Sequence, residues 1–463
     1  MTAWTDAGVS IVVEMAIGLG AVDPSDAALV LEIESETAGT SSAAIGVASI
    51  ERSWTGLDWF TIEANPAGCI ETGGMIADET VSESDWVDVS AWVSDLRVRH
   101  VKPSRFSGID ARTCTLTLQD DATRRWDPLN TSGPYVAGTT SLLREGLRVR
   151  VTATYAGVAY RLFTGFVSSW PVSLSTWPAN EVAVECHDWF GPLARGEAAT
   201  LAVAVGAGET VDARLHRILD AYGVPLVERD IGTSTVTCQS TTLPDNHLSM
   251  LRAAAASDGG DLWVAEDGRV TFRSWAAQWT GDQRNRVQWT LTNNPSGVAR
   301  ECDYEQDPQV SNDLRDTVSR VILQRIGGLE QDANDSGLYV LYGNRVFART
   351  DLVNANDTDV LALAAAMVAT QPTLPVRISQ VTVRPDVHAA AVVMGLQAKL
   401  WDRVAVAHQQ VSGTTITRHC LIVGIEHRIE DVRWSTSYTL QDITDLTAFT
   451  IEESTIGGLD MFV

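Results

Sequence analysis

The chain has 463 residues, a length that suggests about three or four domains, each with room for its own core. Its 59 Asp and Glu against 34 Lys and Arg give a formal net charge of −25. That balance argues against a protein whose task is to grip nucleic acid, because such affinity comes from neutralising phosphates with basic side chains. It does not argue against nucleic acid passing nearby. The apolar stretch Val9–Val22 is interrupted by Glu14 and follows an acidic start, so it fits neither a signal peptide nor a membrane span, and the expectation is a protein without a membrane anchor, made in a cytoplasm. Cys69, Cys114, Cys186, Cys238, Cys302 and Cys420 lie far apart with no C-x-x-C, which reads as free, mostly buried thiols. Lys102 and Lys399 are the only lysines; the bias towards arginine reads as genome composition.

In chain order, residues 1–84 mix strand-like runs (I-V-V-E-M-A-I, A-L-V-L-E-I-E, W-T-G-L-D-W-F-T-I) with Gly, Ser and Thr connections, a β-rich N-terminal region. Residues 85–199 form a first β module. Period-two alternation at Cys114, Leu116 and Leu118 predicts one strand and at Leu147, Val149 and Val151 another, separated by the turn-rich D-P-L-N-T-S-G-P. From residue 200 to 299 the period changes. Val211, Leu215, Ile218, Leu219 and Tyr222 share a helical face that Gly223 and Pro225 terminate, and a second helix runs from about Asn246 to Ser257. After it L-W-V-A-E-D-G-R-V-T-F-R predicts a hairpin turning at Asp267-Gly268. This is a small α+β domain.

Residues 300–398 return to strands with N-D-L-R-D-T-V-S-R-V-I-L-Q-R-I and add a helix over Thr358–Thr370. Its buried face is Val360, Leu363, Ala364, Met367 and Val368, its cap Asp357 or Thr358, and Pro372 lies beyond its end. Residues 399–445 supply further strands, and 446–463 form a tail. The features of residues 112–188 recur, in order, in 400–442. An Arg-bearing strand (Arg148, Arg150; Arg403) meets a Gly turn (Gly157; Gly413), an apolar run carries a glycine (Gly165; Gly424), and a last strand ends on Asp188 or Asp442. Matching glycines inside strands predict the same bend used twice. The fold class is therefore mainly β, with an α+β insertion between two related antiparallel modules.

The runs D-W-V-D-V-S-A-W-V, L-T-L-Q-D-D-A-T-R-R-W-D-P-L-N-T-S-G-P-Y, L-R-E-G-L-R-V-R-V and L-F-T-G-F-V-S-S-W resemble minor tail proteins of long-tailed bacteriophages of actinobacteria, and more broadly the baseplate hub, or tail-associated, family of the tail tip. The hairpin L-W-V-A-E-D-G-R-V-T-F, N-D-L-R-D-T-V-S-R and Y-G-N-R-V-F-A-R-T-D-L follow in the same order, so the resemblance covers about Asp85 to Asp442. It implies two tube-type β-barrel or sandwich modules per chain and a homotrimer that forms a pseudo-sixfold ring. That ring would join a hexameric tail tube, or distal tail protein, to threefold fibre or spike proteins. The tape-measure protein would be a neighbour, and DNA would transit the lumen without specific binding. Carboxylates lining that lumen would repel phosphate.

Two other functions compete. The first is a tail-associated cell-wall hydrolase, but the sequence lacks H-E-x-x-H, G-x-S-x-G and G-x-x-x-x-G-K. Cys186-His187 and His419-Cys420 are adjacent on strands, so their side chains point to opposite faces. Asp120, Asp121 and Asp127 could be imagined as paired acids, yet Arg124 and Arg125 beside them favour a solvated turn. Asp332, Asn334, Ser336 and Gly337 copy half of a calcium loop, but Gly343 stands where a bidentate glutamate belongs, which favours a surface turn. No catalytic, cofactor or metal residue is expected. The second competitor is a receptor- or carbohydrate-binding adhesin using some of the fifteen tryptophans. Trp170, Trp189, Trp263, Trp401 and Trp434 fall at apolar strand positions, which favours core or interface burial. The short stretch after Asp442 favours a hub without its own fibre.

Overall fold

The computed structural model describes residues 9–17, 59–60, 74–75, 86–121, 123–137, 139–171, 181–196, 204–242, 246–280, 282–305, 308–312, 317–370, 376–410, 412–430 and 433–443. Strands β1 (Val9–Ala16) and β2 (Trp86–Asp88) precede the first module, which is built from β3 (Val93–Val101), β4 (Thr113–Gln119), β5 (Arg148–Tyr155), β6 (Val158–Ser169) and β7 (Glu181–His187). The insertion begins with helix α1 (Val211–Tyr222), β8 (Arg229–Ile231), α2 (His247–Asp258) and the hairpin β9 (Asp261–Val264) and β10 (Val270–Arg273). Then come β11 (Val287–Thr292), β12 (Glu301–Cys302) and β13 (Gln309–Asn312). A second small unit holds β14 (Arg320–Arg325), β15 (Gln331–Asn334), α3 (Ser336–Tyr342), β16 (Val346–Leu352) and α4 (Asp357–Ala369). The chain closes with β17 (Val376–Val383), α5 (Ala389–Gln397), β18 (Arg403–Gln409), β19 (Thr415–Glu430) and β20 (Arg433–Asp442).

The expected alternation is present. In β4, Cys114, Leu116 and Leu118 are buried, and in β5, Val149, Val151 and Ala153, all in one core with Leu96, Val98, Val182 and Val184. β1 is not independent of this module: it pairs antiparallel with β5 and places Val9, Ile11, Val13 and Met15 in the same core. The other predicted runs of residues 1–84 fall almost wholly outside the described residues, as does the tail 446–463. In the insertion, α1 buries Val211, Leu215, Ile218, Leu219 and Tyr222 and ends at Gly223, whose φ of 88° lets its N–H reach the Leu219 and Asp220 carbonyls. The β9–β10 hairpin turns through Gly268, with the Ala265 N–H donating to the Arg269 carbonyl at 2.9 Å. Helix α4 begins one residue earlier than expected. Its cap is Asn356, which accepts the Asp359 N–H, rather than Asp357 or Thr358, because the capping residue must stand outside the helix. β11, within the span expected for the α+β domain, is hydrogen-bonded parallel to β18 in the large sheet.

The two modules have one topology. In space the first runs β5-β6-β7-β4-β3 and the second β18-β19-β20-β17-β13, every neighbour antiparallel. The correspondence holds residue by residue. Gly146 donates to the Val167 carbonyl and Val167 to that of Leu147, as Trp401 does to Ile422 and Ile422 to Asp402. Gly146 and Trp401 both have positive φ, 83° and 75°. One bulge lies in β6 between Val167 and Ser169, facing β7, another in β19 between Ile422 and Gly424, facing β20. Val167 faces Cys186 and Ile422 faces Leu440, so Asp188 and Asp442 coincide.

That register corrects the matching of Gly165 with Gly424. Gly424 corresponds to Ser169, whereas Gly165, opposite Val149, corresponds to Cys420, opposite Val404. Nor do the glycines share a cause. A Cβ at Gly165 would meet Phe163 and the His187 carbonyl; at Gly424 it would meet Val101 and Thr439.

Candidate functional site

The modules join edge to edge. β20 lines one side of β19 from Cys420 to Glu430; on the other, β18 pairs as far as Leu421 and β3 takes over, from Val101 opposite Gly424 to Asp95 opposite Glu430. One sheet therefore runs through both modules. Its core side carries Leu96, Leu116, Val184, Ile429 and Trp434, so the second module's Ile429 and Trp434 belong to the first module's core. Its opposite face is polar over six adjacent strands: Glu181 and Glu185, then Thr113, Thr115 and Thr117, then Asp95, Arg97 and Arg99, then Glu426, Arg428 and Glu430, then Arg433, Ser435, Ser437 and Thr439, and at the end Thr382. No large apolar side chain interrupts those rows. Arg97 pairs with Glu426 at 2.6 Å and Arg428 with Glu430 at 3.0 Å, while the Thr382 and Ser437 hydroxyls meet at 2.8 Å. Carboxylates and guanidiniums alternate here, so the acidity of the chain is not concentrated on this face. Burial, and after it the facing Glu430, push the Asp95 carboxyl up.

Beneath the seam two buried clusters tie in the insertion. The Arg112 backbone N–H donates to Asp188 at 2.6 Å, and its guanidinium donates to the Leu162 carbonyl at 3.0 Å and to Glu266 in the β9–β10 turn at 2.7 Å. The same guanidinium lies 2.9 Å from His100 Nδ1; arginine only donates, so that nitrogen accepts and the ring proton sits on Nε2. Burial, then Arg112, hold His100 well below the ordinary histidine range and His427 at about 4. Burial lifts Asp188 to about 7, against the N–H groups of Arg112 and Phe190. In the second cluster Asp261 accepts from Lys102 at 2.8 Å and from Arg284 at 3.2 Å, and both cations lie over the Trp401 ring, at 4.7 and 4.1 Å. The Lys102 backbone N–H donates to Val423 at the bulge of β19. These residues edge a cavity of about 160 Å³ between the second module and both units of the insertion.

The residues singled out in the sequence do not converge. Asp120, Asp121 and Asp127 shape the turn after β4: Asp120 accepts the Asp121 N–H at 2.9 Å, Asp127 accepts that of Leu129 at 2.8 Å, and Arg124 pairs with Asp127. The calcium-like residues are not a surface turn. Asp332 and Asn334 lie on β15, with Asp332 paired to Arg320 at 2.6 Å, and Asp335 caps the helix containing Ser336 and Gly337. Cys186 is buried beside a half-buried His187, and the Cys420 thiol donates to Asp442 at 3.2 Å. Cys114, Cys186, Cys238, Cys302 and Cys420 are free and buried; Cys69 lies outside the described residues. Trp189, Trp401 and Trp434 are buried, Trp170 and Trp263 half-buried. Sequence reasoning missed Lys102, Asp261 and Arg284. The only available signal was that Lys102 is one of two lysines. Among the described residues no group of three or more His, Cys, Asp or Glu could hold a metal ion, and no helix is long and apolar enough to cross a membrane.

No protein-family model matches the sequence, and no curated protein matches it. Among solved structures, the tail protein from Neisseria meningitidis MC58 superposes with a TM-score of 0.51 at 14% identity, covering 78% of this chain and 94% of that one. The chain shares the fold of that tail protein. Also similar is the 43 kDa tail protein of prophage MuSo2 from Shewanella oneidensis, with a TM-score of 0.47 at 12% identity over 77% of this chain and 95% of that one. The E. coli c3393 protein, a component of the type VI secretion system with structural similarity to T4 bacteriophage tail proteins gp27 and gp5, has a TM-score of 0.38 at 9% identity over 76% of this chain and 74% of that one.

Proposed function

We propose that the protein is a structural component of the tail tip of a bacteriophage, a siphophage of actinobacteria by the resemblance of its motifs. It would be a hub that assembles as a trimeric ring in the virion. The observation that carries this reading is the duplicated module joined through one sheet. Two equivalent modules per chain turn three chains into six similar positions, which lets a threefold assembly sit on a sixfold tube. The polar face would line the lumen: its paired charges and hydroxyls present no apolar surface on which a tape-measure protein would stick and no guanidinium excess to hold phosphate. Its neighbours would be the tube or distal tail protein on one side and fibre or spike proteins on the other, and its role in genome ejection would be passive, without catalysis.

Electron microscopy of the purified assembly tests this reading, with threefold rings showing six similar lobes as the expected result. A monomer without ring symmetry would refute it. Degradation of host peptidoglycan by the pure protein would favour the hydrolase instead, and host-cell binding that blocks infection would favour the adhesin.

A further inference from the structure

Each module offers the same two joining edges, but among the described residues only one pair is matched within the chain. The first strand of module one, β3, lies against the end of β19 in module two. The first strand of module two, β13, has a single neighbour among the described residues, β17. The corresponding place in module one, the edge of β6 beyond its bulge at Ser169, is taken by no described strand. The unmatched edges are the two halves of the joint already formed inside the chain.

We infer that β13 of one copy pairs antiparallel with Trp170 and Pro171, just past the end of β6, in a second copy, Asn312 opposite Trp170 and Ser311 opposite Pro171. This rests on the ring proposed above and names its subunit contact. The register follows from the repeat. Ser169, Trp170 and Pro171 correspond to Gly424, Ile425 and Glu426, which face Val101, His100 and Arg99. Ser169 faces Glu185 and Gly424 faces Thr439; Glu185 faces Thr115 and Thr439 faces Gln380; Thr115 faces Arg97 and Gln380 faces Gln309. Gln309 therefore corresponds to Arg97; the register shift after Gln309 leaves Ser379 extra on β17, so β13 itself counts without a break, and Ser311 corresponds to Arg99 and Asn312 to His100.

Among the described residues the contact takes in Trp170 and Pro171 on one side and Ser311 and Asn312 on the other. The internal joint pairs Gly424–Glu430 with β3. Proline has no N–H to give a ladder and is tolerated at such an edge.

The test is cysteine cross-linking. Residues directly opposite in an antiparallel pair have Cβ atoms about 4.5–5.5 Å apart, within reach of a disulfide after small adjustment or of a short thiol cross-linker. The full-length double variant Pro171→Cys with Ser311→Cys should give covalently linked dimers and trimers, with the trimer as the largest product, on a denaturing gel. The single variants, and Pro171→Cys with Gln309→Cys two residues out of register, should give at least about tenfold less. A double variant that forms rings by electron microscopy but links no better than these controls overturns the strand contact and leaves the ring standing. Absence of rings in the unaltered protein overturns both.

Discussion

Gly424 and Ser169 occupy the same place in the two modules, and the structure accounts for the difference through one neighbour. At Gly424, strand β3 crosses within the chain. A Cβ there would collide with Val101 Cγ2 and lie 3.0 Å from the Thr439 Cβ, too close for either to be left undisturbed. Overpacking of this kind costs about 1–3 kcal/mol. Replacing glycine also restricts the unfolded chain and returns about 0.4–1 kcal/mol. Gly424→Ala should therefore destabilise by about 1–2 kcal/mol. In a Val101→Ala background the colliding methyl is gone, and the same change should be neutral or slightly stabilising, a coupling of about 1–3 kcal/mol. The assay is urea unfolding at 25 °C followed by tryptophan fluorescence, comparing the four members of the cycle. An equal cost of Gly424→Ala in both backgrounds would refute the idea that the internal joint imposes the glycine.

Asp261→Asn leaves Lys102 and Arg284 without their shared carboxylate in a buried place, and a loss of about 3–5 kcal/mol in urea unfolding is expected; a loss under about 1 kcal/mol would show that solvent reaches the pair. His427, held near 4 when folded, is neutral at pH 7, so the unfolded chain takes up its proton first as the pH falls below about 6.5. Its contribution to stability is lost as pH drops from there to about 4, and His427→Gln should flatten that part of the stability profile; an unchanged slope would exclude it. Asp188, lifted to about 7, acts in the opposite sense: stability falls as pH rises from about 4 to about 7, a decline that Asp188→Asn should remove. Asn356→Ala removes the cap of α4 and should cost about 1 kcal/mol, read from the same unfolding curves.

What was legible in the sequence was whatever depends on local period. Alternation in β4 and β5, the helical face of α1 with its glycine stop, and the Asp267-Gly268 turn are each set by residues within a dozen positions of one another. The repeat was legible as an order of features. Its register was not, because two glycines at similar places outweighed bulges that leave no mark in the sequence: Ser168 and Val423, the extra residues, share no chemistry. The seam was illegible for a different reason. It joins β3 to β19, more than 300 residues apart, and nothing in the alternation of either strand says which neighbour it will take. The same holds for Lys102, whose partners come from the insertion and the far module.

The unequal filling of equivalent places bears on the symmetry of the proposed ring. A chain of two identical modules would close with six identical joints and offer its partners only sixfold contacts. Here Gly146 and Trp401 share one backbone conformation, but only the second stacks under Lys102 and Arg284, and it does so where β3 arrives. A non-glycine residue in that conformation costs about 1–2 kcal/mol, a cost that the buried ring and its two cations offset at the internal joint alone. Placing Trp at Gly146 would incur the same strain without Lys102 and Asp261 to meet it. The internal joint is thus specialised by side chains, while the equivalent place at the joint inferred between chains holds Gly146. Alternation of two kinds of joint around the proposed ring would reduce six positions to three, and it is these differences, rather than the shared topology, that would present a threefold surface to fibre or spike proteins below the tube.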